Sequence, residues 1–156
     1  MTLDTSEQAA ALMKQVGADL GLELRPDALG ACGLRIDDRL DVTLRYEPNP
    51  PSLLFYSPVG WLPDAPGEGL LRRLLEQNHV WDGSRGATWS LSGEELVLSR
   101  LFALEGLQAE TLCAELATFV EVALAGQQTL ADAAPSASAD AQPPLFAALP
   151  SGVITP

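Results

Sequence analysis

Apolar residues recur along this chain with two different periods. Leu12, Val16 and Leu20 follow one another at intervals of four, with Ala9 and Met13 beside them, and Gly21 closes the run. That spacing lays one apolar stripe along a helix over residues 5–20. Thr5, with Gln8 three residues on, has capping-box spacing and marks the start. After Pro26-Asp27 the period changes to two. In "LDVTLRYE" Leu40, Val42, Leu44 and Tyr46 share one face, while Asp41, Thr43 and Arg45 share the other. This predicts a strand with one face in water. "ACGLRID" precedes it as a strand, and "DDR" fits the hairpin turn between them. Beyond the "PNPP" break, "SLLFYSPVGWLP" reads as a third strand, apolar on both faces until Pro58 ends or bulges it.

Helical spacing returns in "GEGLLRRLLEQNHVW", where Leu70, Leu71, Leu74 and Leu75 form a stripe opposite Arg72, Arg73 and Glu76. Two strands, Ala87–Leu91 and Glu95–Leu104, then flank a turn at Ser92-Gly93-Glu94. A third helix carries Leu112, Leu116, Phe119 or Val120, and Ala123 at helical spacing, with Gly126 as its expected stop. The order α-β-β-β-α-β-β-α lacks the alternation of a doubly wound sheet. It predicts a single α+β domain over residues 1–126, an antiparallel twisted sheet with helices packed on it. From Gln127 the composition turns to Ala, Pro and Ser without Lys or Arg, and residues 127–156 are expected to form a disordered tail. One island within it, Leu145–Leu149, is apolar enough to dock on a surface, although a chance cluster is the simpler reading.

Charge narrows the partners. The net charge is −12 with a sequence pI near 4.2, and Lys14 is the only lysine. Counterion release from nucleic acid needs a basic surface, and none is visible, so neither nucleic acid nor an anionic membrane is an expected partner. No apolar run reaches the ~18 residues of a membrane span. The acidic start "MTLDTSEQAA" lacks the basic and apolar regions of a signal peptide, which makes the cytoplasm the expected compartment. Cys32 and Cys113 lie far apart and outside any CxxC pair, so they read as reduced, buried small apolar residues.

Little of the sequence carries chemistry. There is no P-loop around Lys14 and no GxSxG elbow. His79 is the only histidine; it cannot build a multi-histidine metal site and reads as a helix-end cap or surface residue. As a general base it has no positioned nucleophile beside it. Asp37, Asp38 and Asp41 fit a solvated turn better than a cation loop, and Glu94-Glu95 reads the same way. No catalytic constellation, metal site or cofactor is expected. What remains is apolar surface in excess of what a domain of this size hides, which calls for a covering partner.

The stretch from Leu70 to Ala123 resembles the second half of class I type III secretion chaperones. It has a Leu-rich helix ending in Leu75-Glu76-Gln77-Asn78, a Gly-containing loop and a short strand. A turn, Leu96-Val97-Leu98-Ser99-Arg100 and an acidic Leu-rich helix follow. The element order and acidity match over roughly residues 5–126. Leu101 stands where the family usually has a second basic residue, and the tail lies outside the usual pattern. The resemblance implies a bacterial cytoplasmic homodimer, without enzymatic activity, that holds the N-terminal segment of a secreted effector in extended, export-competent form. It admits the secretion ATPase as a further partner, and sequestration of a secretion regulator as an alternative task. Carried onto this chain, it places the dimer interface at Leu70, Leu71, Leu74, Leu75, Trp89 and Leu91. It places effector contacts at Leu12, Val16, Leu44, Phe55 and Leu98.

Overall fold

The computed structural model describes residues 4–64 and 67–133. In chain order the elements are α1 (Thr5–Leu20), β1 (Ala31–Ile36), β2 (Leu40–Pro48), β3 (Pro51–Trp61), α2 (Gly67–Asn78), β4 (Thr88–Ser92), β5 (Glu95–Ala103) and α3 (Ala109–Ala133), with a 3-10 turn at His79–Trp81 after α2. The expected order holds. The five strands form one antiparallel sheet in the order β1-β2-β3-β5-β4.

Local chemistry sets the ends. The cap of α1 is Asp4, one residue before the expected Thr5; its carboxylate accepts from the Ser6 N–H at 3.2 Å. The Ser6 hydroxyl bonds to the same carboxylate and is the main reason its pKa lies below the usual value of 3.8. The cap is therefore fully charged above that value and is lost as pH falls through the lower, folded one. At the other end Gly21 takes the left-handed conformation, φ 73°, and its N–H bonds back into the last turn. The β1–β2 hairpin turns on Asp37 and Asp38, both left-handed at φ 51° and 54°, with the Ile36 carbonyl accepting from Arg39 N–H at 2.9 Å.

α1 and α3 pack on one face of the sheet. There Val42 and Leu44 of β2, Leu53 and Phe55 of β3, and Leu98 of β5 are buried beneath Met13, Val16 and Phe119. The Phe55 ring meets Phe102 and Phe119 edge-on, at centroid distances of 5.0 and 5.6 Å. Each such side chain contributes about 1.5–3 kcal/mol on burial. Register shifts between Pro58 and Gly60, so Pro58 bulges β3 without ending it. The extra residue moves Trp61 onto the face opposite Phe55, because Trp61 pairs with Glu95 while buried Leu96 pairs with Gly60.

The expectation that α3 stops at Gly126 is corrected. The helix continues to Ala133, with Leu130 buried, so residues 127–133 are helical. Residues 134–156 lie outside the described residues. Gly126 is there for contact and not for termination: a Cβ at this position would stand 2.3 Å from the Trp89 ring. Because Trp89 is pinned by its own hydrogen bonds, Gly126→Ala should destabilise the fold by about 1–3 kcal/mol despite a helix-propensity gain of about 1 kcal/mol. In a Trp89→Leu background the same substitution should become stabilising. Urea midpoints of the four proteins check both signs.

Candidate binding surfaces

One side of the molecule is organised by Asn78, the last residue of α2. Its side-chain Nδ2 donates to the Trp89 carbonyl at 3.0 Å, and its Oδ1 accepts from the Trp89 N–H at 2.8 Å. β4 is an edge strand, and these two groups face away from β5. One amide therefore satisfies both outward backbone groups at Trp89, where a further strand would otherwise attach. The neighbouring Gln77 accepts from the Trp89 indole N–H at 2.8 Å, so the ring is held as well as the backbone. The loop after α2 is tied to α3 by the Arg85–Glu121 ion pair at 2.7 Å. Arg100 of β5 donates to the Arg85 carbonyl at 3.1 Å and pairs with Glu115.

Around this clamp the backbone turns apolar side chains outward. Val80 and Trp81 are both left-handed, at φ 45° and 57°, an unfavourable state for a β-branched or bulky residue. Both are exposed, as are Leu75 and Leu91. The Trp81 indole donates to the Thr88 hydroxyl at 3.1 Å, which fixes its ring beside β4.

The residues expected at the dimer interface divide. Leu70, Leu74 and Trp89 are buried within the protomer, Leu71 is half-buried, and Leu75 and Leu91 are exposed. The four-leucine stripe is wider than one helix face can bury against β4, so Leu70 and Leu74 turn inward and Leu75 outward. Four of the expected effector contacts are corrected. Val16 on the inner side of α1, and Leu44, Phe55 and Leu98 on the sheet beneath α1 and α3, are completely buried and cannot touch another chain in this fold. Leu12 is half-buried on α1.

A second surface is a groove of about 1120 Å³ between α1 and the segment 22–30, lined by Lys14, Leu22, Leu29 and Tyr46 among others. Leu22 and Leu29 are exposed there. It borders β1, the other sheet edge. That edge is sealed at its start, where Ala31 exchanges hydrogen bonds with Asp27: the Asp27 N–H donates to its carbonyl at 2.8 Å, and the Asp27 carboxylate accepts from its N–H at 3.0 Å. By alternation Gly33 and Arg35 keep outward-facing backbone groups.

The remaining groups that could carry chemistry stand apart from one another. Among the described residues, no three His, Cys, Asp or Glu converge on a metal-sized site, and no helix is long and apolar enough to cross a membrane. Asp41 is bonded by Arg35 at 2.8 Å, and His79 is exposed. Both thiols are free. Burial pushes the pKa of Cys32 up, with the Asp27 charge adding to it; Cys113 is raised by desolvation and by the Asp19 carboxylate beside it. Neither has the character of a nucleophilic thiolate.

A family model described as the Tir chaperone protein (CesT) family matches residues 11–125. No curated protein sequence gives a significant match. Solved structures do. The ExsC–ExsE complex aligns at 23% identity over 82% of this chain and 97% of that one, with a TM-score of 0.70. The Yersinia pestis type III secretion chaperone SycH, in complex with a stable fragment of YscM2, aligns at 22% identity over 75% and 98%, TM-score 0.63. The HopA1–SchA chaperone–effector complex aligns at 21% identity over 81% and 99%, TM-score 0.66. These likenesses establish the fold.

The Asn78 clamp is directly testable. Asn78→Ala leaves a donor and an acceptor unpaired at a partly buried edge and should cost about 1–3 kcal/mol. Amide exchange at Trp89 should rise by the same free energy, while amides of β2 change only with global unfolding. Unchanged exchange at Trp89 would show that the clamp carries no weight.

Proposed function

The chain belongs to the Tir chaperone protein (CesT) family, and from that premise we propose that it is a bacterial cytoplasmic export chaperone. It binds the N-terminal segment of a secreted effector in extended form and keeps it soluble and competent for secretion. The observation that carries the reading is apolar surface presented on purpose: Val80 and Trp81 are held outward by left-handed backbone, next to exposed Leu75 and Leu91. A family of chaperones supplies a use for such a surface.

The surfaces divide the work. The α2–β4 face, with Leu75, Val80, Trp81 and Leu91, is the homodimer contact, supported from beneath by Leu70, Leu74 and Trp89. Leu71 flanks it. The client lies in the groove between α1 and segment 22–30, reaching Leu12, Leu22 and Leu29, and can add hydrogen bonds at the open part of β1, Gly33 to Arg35. Backbone pairing of this kind accepts many sequences, and pockets for alternate side chains select among them. Wrapping an unfolded segment must overcome about 2–5 kcal/mol or more of ordering entropy, which an apolar groove offsets by burial. Any approach to the secretion ATPase would be made by the loaded dimer.

Light scattering of the purified protein should give the mass of two copies. Leu75→Glu combined with Leu91→Glu should weaken self-association by at least ~30-fold, the equivalent of 2 kcal/mol at an interface centre, with the helical signal unchanged. Co-expression with candidate clients should recover an N-terminal effector segment, and Leu22→Asp with Leu29→Asp should abolish recovery without dissolving the dimer. A monomer that captures no effector segment sinks the proposal. Recovery of a cytoplasmic regulator in its place would assign the groove to sequestration.

A further inference from the structure

The outer face of the sheet, opposite α1 and α3, is uncovered by any described residue, yet its centre is apolar. Leu54, Tyr56 and Pro58 of β3 share it with Val97 and Leu101 of β5, through the register pairs Leu54↔Leu101, Tyr56↔Ser99 and Pro58↔Val97. The β3 bulge adds Trp61 to the same face. Trp61 is 67% exposed and Leu101 56%, so the strip is open at both ends, with Leu54, Tyr56, Pro58 and Val97 half-buried between them. On its β2 side the charges are paired: Arg45 stacks over the Tyr56 ring at 5.6 Å and bonds Glu47 at 2.5 Å.

We propose that this strip is the docking site of the chain's own C-terminal segment, with Leu145–Leu149 laid along it between Trp61 and Leu101. The end of α3 delivers the chain to that place. Leu130 lies so close to Gly60 that a Cβ there would meet it at 2.9 Å, and the Gln127 amide donates to the Arg39 carbonyl at 2.8 Å. The last described residue, Ala133, packs against the core three positions later. The helix thus finishes at the end of the sheet where Trp61 emerges.

Length and composition fit this occupant. From Ala133 to Leu145 the chain can span up to ~40 Å, while the strip from Leu54 to Trp61 extends only about 23 Å. Asp140 is the only charged side chain in residues 134–156, so the segment approaches a body of net charge −12 with little repulsion. Pro143, Pro144 and Pro150 frame the apolar island. They lack the N–H groups needed to extend a sheet edge, and so suit packing on a face. On a preformed apolar face the segment needs only a few anchors. Tethering supplies it at millimolar effective concentration.

The test uses the full chain with Phe146 replaced by the photocrosslinker p-benzoylphenylalanine, as a mixture of light and isotopically heavy copies. No client is present, so the outcome is separate from that of the export reading. Irradiation should give cross-links within one chain, to peptides covering Leu54–Trp61 and Val97–Leu101. Leu101→Asp, at an exposed position that leaves the core intact, should cut their yield about tenfold, the equivalent of ~1.4 kcal/mol. Cross-links joining light to heavy copies would assign the strip to a second protomer. That result, or cross-links confined to other surfaces, or a yield indifferent to Leu101→Asp, overturns the proposal.

Discussion

The structure depends on one side-chain amide closing the edge of a sheet. Asn78 takes both the N–H and the carbonyl of Trp89, and so joins α2, which lies apart from the α1–α3 layer, to β4, the shortest strand. With that joint in place the Trp89 ring can lie against Gly126 on α3. The sheet, α2 and α3 then meet at one indole. The left-handed turn at Val80 and Trp81 lies directly after the clamp, at the start of the nine-residue connection from Asn78 to β4. The side chains that this turn cannot bury are the ones assigned to dimer contact.

The second organising feature is that β3 is apolar on both faces. Its inner face, through Leu53 and Phe55, is satisfied by α1 and α3. Among the described residues no helix meets its outer face, and the bulge at Pro58–Gly60 lengthens that face by bringing Trp61 round. A domain of this size cannot cover both faces from its own ordered residues. The division into a buried layer and an open strip therefore follows from composition as much as from topology.

Much of the fold was legible in the sequence because periodicity reports which residues share a face. The period of two in Leu40–Tyr46 and the spacing of Leu112, Leu116 and Phe119 placed the strands and helices nearly where they are. Periodicity does not report which face is covered, so it could not correct the resemblance, which assigned Val16, Leu44, Phe55 and Leu98 to client contact; all four are core. Asn78 was visible as part of a motif, but its partner is backbone 11 positions away, beyond any local pattern. Gly126 looked like a stop because glycine usually is one at a helix end; only the position of Trp89 reveals a contact. The α2 stripe was read correctly as apolar, and the split between Leu74 and Leu75 needed the direction from which β4 approaches.

Both sheet edges are partly sealed, each by a different device: Asp27 at the start of β1 and Asn78 across β4. For a sheet to propagate from molecule to molecule, every copy must offer one open edge and accept at another. Here the β4 side is blocked at its second residue, and the β1 side leaves only Gly33 to Arg35. An added strand can attach, but it has no continuous edge from which to pass pairing on. The protein is thereby kept from seeding a fibril with its own sheet.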